Sequence, residues 1–236
     1  MINTVEIQNL KKKYGRKTAV DLELLTLEEG TVNGLFGPNG SGKTTLIKIL
    51  SGMILRYKGD VYIQGEKPGV KTKSFVSYLP DRNFLGNQDN IKESLKLFNH
   101  FYKDFSMEKA KKLLENMQLE EKMKISSLSK GMEEKLNLAL VLSRDAKLFL
   151  LDEPIAGVDP VAREQILSAV ISNIDPESTM LVTTHIIKEM EGIFDRALFI
   201  NEGKIVLDGN AEDLRIERKA SLDEIYRREF GGEEIE

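Results

Sequence analysis

Two hydrophobic periods alternate along the chain. Residues 3–10 place Val5, Ile7 and Leu10 on a strand-like pattern, and residues 31–36 (TVNGLF) form a short apolar run that stops at Gly37. A helical pattern follows, with Leu46, Ile47 and Leu50 on one face and Gly52 at its end. Further strands are predicted at 59–65 and 74–79. From about 82 to 145 the period becomes helical: Ile91, Leu95, Phe98 and Tyr102 form one stripe, opened by a capping box of Asn90 and Glu93. Ala110, Leu113, Leu114 and Met117 form a second stripe after Ser106, and Met132, Leu136, Ala139, Leu140 and Ser143 a third. The strand–helix rhythm resumes at Lys147–Asp152, whose four consecutive apolar residues predict a strand buried on both faces. A helix over 160–174, with Asp159 as N-cap and Pro160 at its first position, should follow. A strand at 179–184 and a hairpin over 196–209, turning at Asn201-Glu202-Gly203, complete the pattern. Ser221 and Glu224 make a second capping box, predicting a short tail helix and a frayed acidic end. The chain thus reads as one α/β core, 1–81 and 146–209, with an inserted helical subdomain, 82–145, and a C-terminal tail, 210–236.

Composition narrows the classes of function. The sequence has 236 residues, 41% hydrophobic and 31% charged, in keeping with a globular chain that can bury a real core. Its longest uninterrupted apolar run is Leu138–Leu142, far short of the roughly 20 residues that span a bilayer. The N-terminal residues lack a basic and then apolar leader pattern, so secretion is not expected. With no Cys there are no disulfides and no thiolate metal sites. A net charge of −4 gives no support to nucleic-acid binding, which usually shows a basic excess.

Chemistry concentrates at two places. Residues 37–44, Gly37-Pro38-Asn39-Gly40-Ser41-Gly42-Lys43-Thr44, match the phosphate-loop pattern G-x-x-x-x-G-K-[ST] in full. Glycines let the backbone turn its N–H groups onto a phosphate, Lys43 adds a mobile cation, and Thr44 offers a hydroxyl to Mg²⁺. The helix opening there, through Thr44 and Thr45, adds its positive dipole end. The second place is the acid pair Asp152-Glu153, at the end of a buried strand where open α/β sheets bind ligands. Asp152 suits Mg²⁺, and Glu153 suits removal of a proton from attacking water. A strand-end acid pair that only caps the next turn is the plainer alternative.

Two more segments narrow the picture: Leu128-Ser129-Lys130-Gly131-Met132 before the third helical stripe, and Thr184-His185 after the strand at 179–184. In this order the motifs resemble the ATP-binding subunit of ABC transporters, from Tyr14 to about Gly209. LSKGM, the LLDEP strand end and the segment Ala156–Asp159 look most like the single-domain ATPases of bacterial drug and antimicrobial-peptide exporters. LSKGM departs from the family's LSGGQ at Lys130 and Met132 and keeps Ser129 and Gly131. The resemblance implies a P-loop NTPase core with a mainly parallel sheet and an antiparallel N-terminal β part. It implies Tyr14 stacked on adenine, His185 at the γ-phosphate beside Glu153, and Ser129 and Gly131 reaching the nucleotide of a second copy. Asp159 matches the acid of a loop that crosses the dimer interface. Asp81, in SYLPD, stands where the family usually has Gln; a charged carboxylate there could bind Mg²⁺ directly or crowd Asp152 and Glu153. Phe84 and Leu85, just beyond, suit either core packing or a groove for a helix of a membrane partner. Lys11–Lys13 reads as a solvated charge run.

The implied activity is hydrolysis of ATP with Mg²⁺ by a pair of ATPase subunits, homomeric or mixed. They would drive a separate transmembrane permease, held on the cytoplasmic face of the membrane through that permease. The other class considered is a soluble ABC-type factor acting on ribosomes or DNA. Such factors usually carry two cassettes or a long coiled-coil insertion. This chain has one phosphate loop, and the interval from Lys43 to Leu128 has no room for a long coiled coil. A non-hydrolysing switch would lack Glu153 or His185, and both are present.

Overall fold

The computed structural model describes residues 2–81, 84–86, 88–155, 158, 163, 166–167, 170–171 and 175–231. The Asp159 N-cap, Pro160 and most of the helix expected over 160–174 lie outside these residues. Two sheets, seven α-helices and three short 3₁₀ turns, with helical residues also at 163, 166–167 and 170–171, make up the regular structure of the described residues. A three-stranded antiparallel sheet, in the order β2-β1-β4, joins β1 (Asn3–Tyr14), β2 (Lys17–Glu28) and β4 (Lys58–Ile63). A six-stranded sheet has the order β5-β6-β7-β3-β8-β9. It contains β3 (Val32–Phe36), β5 (Val76–Leu79), β6 (Leu148–Asp152), β7 (Thr179–Thr183), β8 (Arg196–Asn201) and β9 (Lys204–Asn210). All its pairings are parallel except the β8–β9 hairpin.

The buried strands show why they read as continuous apolar runs. Along β6, Leu148 and Leu150 enter one hydrophobic cluster, while Phe149 and Leu151 enter another on the opposite face. β7 divides Leu181 from Met180 and Val182, and β8 divides Leu198 and Ile200 from Ala197 and Phe199. The first cluster is closed by α1 (Lys43–Leu50) and by the three-stranded sheet through Val5, Ile7, Leu22 and Val61. The second is closed by α2 (Ile91–Phe101), α3 (Met107–Asn116) and α4 (Lys130–Leu142) and by the C-terminal helices. A fully buried leucine or phenylalanine contributes about 1.5–3 kcal/mol, so covering both faces is what makes this sheet the spine of the fold.

Local signals place most helix ends. Asn90 accepts from Glu93 N at 3.1 Å and caps α2, but the returning Glu93 carboxylate takes Asp89 N, one residue earlier than a reciprocal box requires. Ser106 caps α3. The tail helix, α7 (Leu222–Phe230), has the complete Ser221–Glu224 box. Two short helices precede it, α5 (Ile187–Met190) and α6 (Ala211–Arg218). β2 is the element the pattern reading overlooked: its exposed Glu23 and Leu24 interrupt the alternation of Leu22, Leu25 and Leu27.

Candidate functional site

Three neighbouring strands of the parallel sheet end together and build the site. β3 runs into the phosphate loop; next to it β7 ends at Thr183, followed by Thr184 and His185; next again β6 ends at Asp152, followed by Glu153. The register pairs Asp152 directly with Thr183. A cleft of about 300 Å³ opens here, lined by Tyr14, Asn39, Gly40, Gly42, Lys43, Thr44, Thr45, Asp81 and Glu153, with Lys17 and Ala19 from β2.

The phosphate loop takes its shape from two glycines with positive φ, Gly40 at 79° and Gly42 at 118°. At Gly42 a Cβ would also overlap the carbonyl oxygen of Ala19, so both the dihedral and the space require glycine. The β8–β9 turn braces the loop, with Gly203 N donating to Ser41 O at 2.7 Å. Lys43 is buried, and its ammonium donates to the carbonyls of Gly37 (2.5 Å) and Pro38 (3.1 Å). Burial lowers its pKa, opposed by the charges of Glu153 and Asp152.

Asp152 is buried with one oxygen partnered: Thr183 Oγ1 donates to its Oδ1 at 2.7 Å. Desolvation raises its pKa; the Thr183 and Thr44 hydroxyls oppose that rise, and the charges of Asp81 and Glu153 add to it. Glu153 follows in a left-handed conformation, φ 57°, which costs a non-glycine residue about 1–2 kcal/mol. Its N–H is anchored by Thr183, through the carbonyl at 3.1 Å and the hydroxyl at 3.2 Å. Its Oε2 accepts from His185 N at 3.1 Å and lies 2.7 Å from His185 Nδ1. Glu153 and His185 therefore form one unit across the ends of β6 and β7.

The cleft fits a phosphate ester carrying a hard cation. Two buried oxygens on residues next in sequence to its lining, Ser41 Oγ and Asp152 Oδ2, have no hydrogen-bond partner within the protein, and an unsatisfied buried polar group costs about 1–3 kcal/mol. A hydroxyl and a carboxylate oxygen, Thr44 and Asp152, are the donor types Mg²⁺ takes alongside phosphate oxygens.

The other expected residues divide in two. Tyr14 lies at the cleft rim, half exposed, with Lys12 Nζ 4.9 Å from its ring centroid. Asp81 lies on the wall, exposed, close enough for its charge to reach both Asp152 and Glu134 of α4. Ser129 and Gly131 are not brought into the cleft. Ser129 caps α4, accepting from Met132 N at 3.3 Å, and Gly131 lies in that helix's first turn. Phe84 packs on Phe98 at 5.9 Å, as the core-packing alternative expects, and it also lines a groove of about 370 Å³ with Met53, Tyr78, Tyr102 and Arg144. Leu85 packs on the core.

Sequence reasoning missed Thr183, whose hydroxyl holds both acids; the Thr-Thr-His run at a strand end was its signal. It also missed Lys17, and Tyr226 of α7. Burial, and then the charge of Glu153, raise the pKa of Tyr226, so the tail helix packs within electrostatic reach of the site.

A phosphate loop between a parallel strand and a helix, facing an acid pair at the next strand ends, defines a P-loop nucleotide hydrolase. The ABC transporter family matches residues 22–156, more than half of the chain, and the chain belongs to that family as an ATPase. Among similar curated proteins, the Nod factor export ATP-binding protein I of Burkholderia lata is 34% identical over 233 residues, covering 94% of this chain and 76% of that protein. The lantibiotic transport ATP-binding protein SrtF of Streptococcus pyogenes is 31% identical, covering 86% of this chain and 90% of its own. A solved ATP-binding subunit of an ABC transporter superposes with a TM-score of 0.84 at 26% identity, covering 95% of this chain and 98% of its own. Among the described residues no helix is long and apolar enough to cross a membrane.

Proposed function

We propose that two ATPase subunits of this kind close around ATP and Mg²⁺ and drive export through a separate membrane permease. The observation that carries this is the paired Glu153–His185 unit facing the phosphate loop across one cleft, while Ser129 faces elsewhere. In this reading Glu153 takes a proton from the attacking water, and His185, fixed through Nδ1, presents its other ring nitrogen to the γ-phosphate. Lys43 and the loop N–H groups stabilise charge on the phosphates. Tyr14 holds the base. Thr44 and Asp152, with Asp81 beside them, would hold Mg²⁺, which supplies neutralisation of phosphate charge. A second subunit completes the site, its Ser129 and Gly131 offering hydroxyl and N–H donors at a helix start. The names of the relatives above support export, and the Phe84 groove suits a helix of the permease.

Glu153→Gln in the presence of ATP and Mg²⁺ should elute as a stable dimer on size exclusion, and as a monomer without nucleotide. A monomer in both conditions would refute the paired site. Affinity capture from detergent-solubilised membranes should recover a multi-span protein; ribosomal proteins or DNA would point instead to a soluble factor.

A further inference from the structure

Five cations gather at one end of the N-terminal sheet, far from their uniform appearance in sequence. Lys11, Lys12, Lys13, Arg56 and Lys58, with the half-buried Tyr57, line a pocket of about 620 Å³. Consecutive residues of a regular strand point to opposite faces, so three adjacent lysines should not share a pocket. Two irregularities bring them together. The β1–β4 register shifts between Gln8 and Lys11, with Asn9 at φ 50° and Gly59 at φ 90°. The β1–β2 register shifts between Lys12 and Lys13. Bulges of this kind re-aim side chains. Lys12 Nζ then donates to Arg56 O at 2.8 Å, binding the two strand ends to one another.

The charge in this pocket is poorly balanced. Lys11 pairs with Asp21 at 2.5 Å, and Asp60, on the same strand as Lys58, is taken by Lys67 at 3.2 Å. Among the described residues, Lys12, Lys13, Arg56 and Lys58 have no carboxylate within 4.0 Å. Lys11 and Lys58 stand directly opposite one another across the β1–β4 ladder, a like-charge arrangement that Asp21 offsets on the Lys11 side alone. Beside Arg56, two large aliphatic side chains stand in solvent: Met53 and Leu55, each 61% exposed.

We propose that this pocket and its aliphatic edge form a contact for the anionic surface of a lipid bilayer. Phosphate diesters of the headgroups would occupy the cationic pocket, and Leu55 would rest among the headgroups and upper acyl carbons. Clustered lysine and arginine next to exposed aliphatic groups is the chemistry that such surfaces select. The overall charge of −4 does not oppose this, because charges beyond a Debye length of about 8–10 Å are screened and the local field decides. Met53 also lines the Phe84 groove, and three residues of chain bring Arg56 within about 11 Å of it. The contact itself needs no permease, so its failure is distinguishable from failure of the permease reading.

The purified full chain should co-sediment with phosphatidylcholine vesicles containing phosphatidylglycerol, and not with phosphatidylcholine alone, and the binding should weaken as salt rises. Each cation near such a surface contributes about five-fold in partitioning, so Lys13→Gln, Arg56→Gln and Lys58→Gln combined should lower it by roughly 10²-fold. These three leave the Lys11–Asp21 pair and the Lys12–Tyr14 contact intact, and ATPase turnover without lipid should be unchanged, showing that the variant is folded. Equal binding to both kinds of vesicle, or full binding by the triple variant, would overturn the assignment. So would tight binding of inorganic pyrophosphate without vesicle binding, which would make this a site for a soluble phosphate.

Discussion

The strand ends around Asp152 and the start of α4 around Ser129 both attract a phosphate-binding role from sequence, and they are built in opposite ways. At the strand ends polar groups are buried, strained and incompletely satisfied: Asp152 has an unpartnered oxygen, Glu153 is left-handed, and Gly42 has no room for a side chain. At Ser129 nothing is strained, and the hydroxyl makes an ordinary N-cap bond. The difference suits their proposed tasks. A group that must act within its own chain is prepared by that chain, whereas one that acts on a partner's nucleotide needs only to be presented.

Four variants would sharpen or break that contrast. The largest effect is expected from Glu153→Gln, which should lower ATP turnover by roughly 10²–10⁴ while nucleotide affinity stays within a few-fold; near-normal turnover would remove Glu153 from the role of base. Gly42→Ala forces a side chain into the Ala19 carbonyl at a positive φ and should cost about 2–4 kcal/mol in thermal unfolding. Unchanged stability there would mean that the loop is not under the constraint described.

Asp152→Asn tests the buried charge through pH. The folded-state pKa of Asp152 is raised by desolvation, so the folded chain binds the proton more tightly than the unfolded chain does. That group therefore lowers stability as pH rises past its unfolded value near 3.8, and the penalty persists at neutral pH. The Asn variant, free of nucleotide, should melt above wild type at pH 7, and the gap should close as the pH falls toward 4. A gap independent of pH would show that packing, not charge, is responsible. The smallest effect is Ser129→Ala: loss of the cap should cost about 1 kcal/mol in the nucleotide-free monomer, with little change in its ATP affinity. If the Glu153→Gln dimer also survives this change, Ser129 is a cap and nothing more.

Legibility in the sequence follows the range of the interaction. The phosphate loop was readable because its residues are contiguous and its chemistry depends on backbone shape that glycine alone permits. The buried strand Leu148–Asp152 was readable because both its faces meet apolar layers. Thr183 was not, since its importance arises from a register that places it beside Asp152 across two strands widely separated in sequence. β2 was missed because its exposed middle hides the alternation. Lys11–Lys13 illustrates the limit most clearly. As a string it is a solvated charge run; the two register shifts and the approach of Arg56 turn it into a lined pocket.

Contiguous residues alone carry the class of chemistry: a phosphate loop, an acid pair at a strand end, a histidine after the next strand, and the order in which they occur. These are local patterns, and each is set by the conformational or hydrogen-bonding needs of a few adjacent residues. Which groups meet depends on long-range packing. That packing places Asp81 on the wall and Tyr14 at the rim of the cleft, joins His185 to Glu153, and leaves Ser129 outside the cleft lining. Strand order and register are properties of the packed sheet, settled by burial on both of its faces, and no short stretch of sequence encodes them.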